Sequence, residues 1–172
     1  DWIKENFKES DEVKVGVCNY PDYPFLVTRE EGILKALEEL APNAKVVVSA
    51  KAGYTPEGVD VGDAWVQSNP DLNVVVGIND AGVLGVYETF NAAGINGDKL
   101  GMFGGDAVDD ALAALKEGGT FRGTVSTEML PNAHQFIDMA VELAEKGKVE
   151  ERELYFPMKT ITTDTVDEFM AE

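Results

Sequence analysis

Several side chains suited to hydrogen bonding or stacking fall just past short apolar runs of this sequence. Asn19, Tyr20 and Asp22 follow the first run, Lys51 and Tyr54 the second, Asn79 and Asp80 the third. Asp106 follows the fourth and Thr127 the fifth, while Arg29 stands early in the first long helical stretch. Asn, Asp and Arg offer paired donors or acceptors, the pattern that suits adjacent hydroxyls of a polyol. Tyr54 adds a flat apolar face of the kind that covers the C–H side of a sugar ring. Plainer roles stand beside these: Asn79, Asp80 and Asp106 each have the residue type of a helix N-cap. Arg29 can be read as a solvated charge and Tyr54 as a packing residue.

Enzyme signatures are missing. His134 is the single histidine, far along the chain from the other candidates. No Ser-His-Asp or Cys-His set can therefore be assembled around it. No Gly-x-Gly-x-x-Gly follows the first apolar run, and no Walker A sequence occurs. Asp80 and Asp106 have the chemistry for a shared metal or an acid–base pair, but nothing in their spacing favours it. No cofactor and no metal are expected.

For these residues to meet, the runs before them must be strands of one sheet, with helices between. Residues 13–18 alternate around apolar positions, and 45–49 and 74–78 are β-branched. Residues 100–103 and 121–126 supply a fourth and a fifth strand. Between them, helical spacing places a helix over about 28–40, with Ile33, Leu37 and Leu40 on one side. A second helix spans about 58–68, weakened by its glycines. A third starts at Asn79-Asp80 and carries Val83, Tyr87 and Phe90, and a fourth covers about 108–117. Prolines mark residues 19–24 and 50–56 as loops, and Gly104-Gly105-Asp106 reads as a tight turn. Strands alternating with helices predict α/β, with a doubly wound, mostly parallel five-stranded sheet. Open sheets of this kind bind ligands at the carboxyl ends of their strands, where the candidates lie.

The rest behaves differently. Residues 131–146 form a helix whose apolar face holds Ala133, Phe136, Ile137, Ala140 and Ala144, broadened by Met139 and Leu143. Charged residues 147–153 follow, then an extended run over 154–161 and a short helix over 163–170. So wide an apolar face after a finished sheet needs a surface to cover it. The chain also opens on Trp2, Ile3 and Phe7 at helical spacing, with little room for a preceding cap, and reads as cut from something longer.

The chain has 172 residues, 44% of them hydrophobic, with a formal charge of −18. That length accommodates one domain with a real core. The charge argues against nucleic acid, whose phosphates need Lys and Arg, and against an anionic membrane surface. Cys18 is the single cysteine, so no internal disulfide forms; its apolar surroundings suggest a small buried hydrophobe. No signal peptide or membrane span is visible in the residues present.

Taken in order, these motifs are similar to those of one known family. Arg29-Glu-Glu-Gly32 resembles an Arg-x-x-Gly, and Asn79-Asp-Ala-Gly-Val-Leu-Gly85 an Asn-Asp-x-x-Ala-x-Gly. Gly104-Gly-Asp106 before Asp110-Ala-Leu112, the strand beginning Phe121-Arg-Gly-Thr-Val125, and the closing stretch from Phe156 to Phe169 complete the set. Together they resemble the carboxyl-terminal lobe of type I periplasmic sugar-binding proteins, the ribose- and galactose-binding group that serves ABC transporters. The resemblance implies a flavodoxin-like lobe whose amino-terminal partner lobe is missing from this sequence. It implies sugar contacts from Arg29, Asn79 and Asp106, with Tyr54 packing on the ring and a weaker or re-made hydroxyl contact at Thr127; Asn19 completes the expected ligand-binding set. The family usually has Gln where Thr127 stands, and bulkier residues where Gly82-Val83 stand, which leaves the sugar open.

By the same resemblance, residues 1–127 are the ligand-binding lobe and 128–158 pack on the missing lobe. Residues 159–172 return to the first. The leading expectation is a non-catalytic solute-binding protein for a sugar or polyol, partnered by a membrane permease. Its place would be periplasmic or extracellular, as a free protein or an anchored lipoprotein. The exposed helix face would otherwise be covered by a homodimer through 131–146. The alternatives are the effector domain of a LacI-type regulator, a receptor sensor domain, or a small metal-dependent flavodoxin-like hydrolase.

Overall fold

The computed structural model describes residues 1–127, 129–149 and 158–171. Its centre is β1 (Val13–Asn19), whose Val13, Val15 and Val17 are fully buried on one face while Cys18 is buried on the other. β3 (Val74–Gly77) pairs with it in parallel, Val15 opposite Val74. β2 (Ala44–Lys51), β4 (Gly101–Phe103), β5 (Phe121–Ser126) and β6 (Lys159–Thr162) complete the order β2-β1-β3-β4-β5-β6. Five strands are parallel, and β6 alone runs antiparallel, against β5. The sheet is thus α/β and mostly parallel, with one strand more than the five expected. Residues 159–161 are expected only as the end of an extended run; the open edge of β5 draws them, with Thr162, into the ladder. Residues 154–157 of that run lie outside the described residues.

Order 2-1-3-4-5 is the doubly wound arrangement, and its direction of winding reverses between β1 and β3. The helices accordingly divide between two faces. α1 (Trp2–Asn6) packs Trp2 and Ile3, with Phe7 just after it, on Val13, Val15, Val17 and Val74. α2 (Pro24–Leu40) shares that face but has no buried residue. Its Ile33, Leu37 and Leu40 do lie on one side, lining an apolar groove of about 270 Å³ with Trp2, Val74, Val76 and Phe103. On the other face α3 (Thr55–Ser68), α4 (Asp80–Ala92) and α5 (Asp109–Glu117) bury Trp65, Val83, Phe90, Leu112 and Leu115 against Val75 and Met102. This larger cluster is the core.

α2 and α3 start earlier than their apolar spacing predicts. Each has proline in its first turn, where the missing N–H costs nothing and the fixed φ suits the helix. The glycines that weaken α3 in isolation are contact points: a Cβ on Gly58 would sit 2.1 Å from the Gly82 carbonyl oxygen of α4. Beyond the sheet, α6 (Met129–Lys146) presents Phe136, Ile137, Val141 and Leu143 to solvent. α7 (Val166–Phe169) buries Val166 in the core. No helix among the described residues is long and apolar enough to cross a membrane.

Candidate functional site

The reversal of winding leaves a crevice at the carboxyl ends of β1 and β3, bordered by the loop after β4. Arg29 reaches into it from the second turn of α2. Its Nη1 donates to the Ile78 carbonyl at 2.9 Å and to Asp106 Oδ1 at 3.0 Å. Both partners of this ion pair keep about a third of their side-chain surface exposed, 35% and 37%. The pair therefore stands at the rim, open to a ligand and to water. Exposed pairs contribute little to stability, so its interest lies in the fixed direction it gives to a guanidinium and a carboxylate.

Asn79 follows Ile78 directly and is the N-cap of α4: its Oδ1 accepts the Gly82 N–H at 3.1 Å. Its amide nitrogen donates to the Gly53 carbonyl at 2.7 Å, tying the loop after β2 to the head of α4. Tyr54 comes next to that anchor. It is 55% exposed, stands edge-on to Tyr20 at 5.7 Å, and lines a hollow of about 80 Å³ with Tyr20, Tyr23, Leu26, Gly53 and Asn79. Tyr20 stacks on Tyr23 at 5.5 Å with its rings 9° apart, and Lys51 Nζ lies 4.4 Å from the Tyr20 centroid. The result is an aromatic wall beside the polar pair. Tyr23 was not singled out in the sequence; its place between two prolines had marked it as loop, although Pro24 opens α2.

Asn19 and Thr127 are placed differently. The Asn19 amide donates to Glu30 Oε1 at 2.9 Å and to Ser49 Oγ at 3.1 Å, so it faces α2 and β2. Thr127 lies just beyond β5, where its carbonyl accepts the Asn132 amide of α6. Its backbone is thereby tied to the first turn of α6. His134 lies on α6, exposed and distant in the fold's order from the crevice.

The turn that carries Asp106 is unusual. Its glycines have ordinary φ, whereas Asp106 and Ala107 take φ of 107° and 55°. Left-handed backbone at residues with a side chain costs of the order of 1–3 kcal/mol each and persists only where neighbours fix it. Asp106 is not the cap of α5; Val108 is, and its N–H is taken by Asp80 Oδ2 at 3.1 Å. Asp80 is fully buried and its Oδ1 accepts the Thr124 hydroxyl at 2.7 Å. Burial pushes the Asp80 carboxyl up to about 6, against the opposing pull of these two donors. Among the described residues no three His, Cys, Asp or Glu side chains stand together as metal ligands.

An exposed, ion-paired guanidinium and carboxylate beside an aromatic face can bind hydroxyls in pairs and cover a ring. Known proteins share this frame. Residues 1–148 match the periplasmic binding protein domain family. The chain superposes on a periplasmic ribose ABC transporter protein of Conexibacter woesei with a TM-score of 0.85 at 25% identity, over 99% of its own length and 57% of that chain. It superposes on an ABC transporter solute binding protein of Bacillus halodurans with bound myo-inositol, at a TM-score of 0.81 and 25% identity, over 93% and 55%. In sequence it is 25% identical over 118 residues to the ABC transporter periplasmic-binding protein YphF of Escherichia coli, 67% of this chain and 35% of that protein. The chain thus spans about a third of this curated relative and just over half of each solved chain. On fold and sequence together, it belongs to the periplasmic binding protein domain family.

Proposed function

We propose that this chain is the sugar-holding lobe of a non-catalytic solute-binding protein that delivers a sugar or cyclic polyol to an ABC transporter. The observation that carries the reading is the Arg29–Asp106 pair, exposed at the crevice and anchored on Ile78. A guanidinium and a carboxylate 3.0 Å apart offer a donor and an acceptor to two neighbouring hydroxyls. Tyr54 supplies the ring contact, and Asn79 holds the floor between them. Asn19 and Thr127 border the site. The ribose and myo-inositol named for two similar structures support a polyol of that size.

In this reading residues 1–127 are one jaw of a two-lobed clamp, and an amino-terminal lobe is the other. Residues 128–158 pack on that second lobe and 159–172 return to the first. The exposed Phe136 and Ile137 of α6 then meet the partner lobe, or a second copy of the chain when that lobe is absent. Closure about the crossing segments buries the ligand and presents a closed shape to the permease, in the periplasm or outside a cell membrane.

Titration calorimetry on the complete protein with D-ribose, D-galactose and myo-inositol tests this. One of them should bind near micromolar, about −8 kcal/mol. Arg29→Ala and Asp106→Ala should each weaken binding by about 10–100-fold, the scale of a charged hydrogen bond. The isolated 172-residue chain should bind far more weakly, since it lacks half the contacts. Micromolar affinity in the isolated chain, or no loss in either variant, would refute the reading.

A further inference from the structure

The position of Asp106 is dictated from below, and we propose that Asp80 and Thr124 are positioning residues that hold it at the rim through the backbone of the 104–108 turn. The backbone hydrogen bonds of that turn point inward. The Gly104 and Asp106 N–H groups donate to the Gly123 and Val125 carbonyls of β5, at 3.0 and 2.8 Å. The Ala107 N–H donates to Thr124 Oγ1 at 3.2 Å, and the Val108 N–H to Asp80 Oδ2. The Gly105 carbonyl accepts the Asp80 N–H at 2.7 Å. Thr124 closes the circuit: its hydroxyl accepts from Ala107 and donates to Asp80 Oδ1.

The two strained residues, Asp106 and Ala107, lie inside this set of bonds. Without the Thr124 hydroxyl the Ala107 N–H loses its hydrogen-bond partner and is left with the neighbouring Asp80 carboxylate, so the φ of 55° loses a restraint on the residue next to Asp106. Gly104 belongs to the same device. A Cβ on it would stand 2.2 Å from Asp80 Oδ1, so only glycine lets the buried carboxylate come up under the turn. An acceptor-only carboxylate suits two inward-pointing donors, and Thr124, 1% exposed, is shielded from competing water. Neither group reaches the crevice. They act on a ligand through Asp106 alone, so the binding arm of the proposal rests on the function proposed above.

The test uses the complete protein with Thr124→Val, which keeps the shape and removes the hydroxyl, and Thr124→Ser, which keeps the hydroxyl. Amide hydrogen exchange at Ala107 should quicken by at least about tenfold in the valine variant. Exchange at core amides such as Val75 should stay as in the wild type. Affinity for whichever of D-ribose, D-galactose or myo-inositol binds the wild type should fall by at least about tenfold. The serine variant should restore both. Unchanged exchange at Ala107 or unchanged affinity in Thr124→Val would overturn the proposal, as would a serine variant no better than valine.

If Thr124→Val does not fold, Asp80→Asn decides by the same measurements. Its carbonyl can still accept from Val108, but its amide opposes the Thr124 hydroxyl, so Ala107 exchange should rise. If none of the three sugars binds the wild type, the function proposed above fails while the exchange results still judge the positioning.

Discussion

Asp80 is the one charged side chain among the described residues that is fully buried, and its energetics follow from that. Burial raises its carboxyl from 3.8 to about 6, with the Asp106 charge adding to the effect. A raised value means that the folded chain holds the proton more tightly than the unfolded one. Its stabilising contribution is therefore complete below about pH 4 and is lost as pH climbs through about 6. At about 1.4 kcal/mol per pH unit, the loss is on the order of 2–3 kcal/mol. Asp80→Asn has no such titration. Urea midpoints at pH 4.5 and 7.5 should show the wild type losing stability relative to this variant as pH rises; the opposite trend would contradict the assignment.

The sequence placed Asn79, Asp80 and Asp106 at strand ends, because β-branched runs followed by polar residues carry that information. It could not say where each side chain went. Asn79 and Asp80 are both helix N-cap types in sequence, yet one caps α4 and bridges to Gly53 while the other is enclosed beneath the Asp106 turn. Asn19 had equal standing with them and instead faces Glu30 and Ser49. The positive φ of Asp106 was hidden by the adjacent glycines, which draw attention as turn residues and here serve a close approach.

At the scale of elements, α3 meets α4 through glycine. Gly58 and Gly62 of α3 meet Gly82, Val86 and Thr89 of α4, and a Cβ on Gly85 would stand 2.4 Å from the Thr55 carbonyl oxygen. Backbone lies on both sides, so no rotamer change relieves the clash. Gly85→Ala should destabilise by about 1–3 kcal/mol, overriding the ~1 kcal/mol that alanine normally gains over glycine in a helix. Gly32 in α2 is the control. Nothing lies within 4 Å of its missing Cβ, and Gly32→Ala should stabilise by about 0.5–1 kcal/mol. Chemical denaturation of the two variants checks both signs. Read in sequence, the α3 glycines lowered the helix propensity, because propensity treats a helix as if it stood alone; the contact that needs them is made by residues some 25 positions away. Proline misled in the same way at Pro24 and Pro56, breaking helices in their interiors but opening them in the first turn.

For the molecule as a whole, the unequal faces of the sheet matter most. One face is sealed by α3, α4 and α5. The other has α1 and α2 standing over a partly filled apolar groove, with no residue of α2 fully buried. The periodicity of Ile33, Leu37 and Leu40 told which side of α2 was apolar but not how completely it would be covered, since coverage depends on neighbours rather than on pattern. The wide apolar face of α6 was legible for the same reason, and Phe136, Ile137 and Leu143 stand exposed on that helix.

Ser126 lies directly opposite Lys159 in the β5–β6 ladder, so the chain leaves the sheet and re-enters it at a single doorway. The segment between them is tied to the sheet by two adjacent strand ends, those of β5 and β6, like a paired strap. None of the six strands of the sheet falls within 127–158. Replacing 127–158 by a two-residue Asn-Gly turn, the connection that an in-register antiparallel pair accepts, should leave a cooperatively melting lobe with its midpoint within about 5 °C of the parent, measurable by circular dichroism. Loss of the cooperative transition would mean that the strap is also a strut.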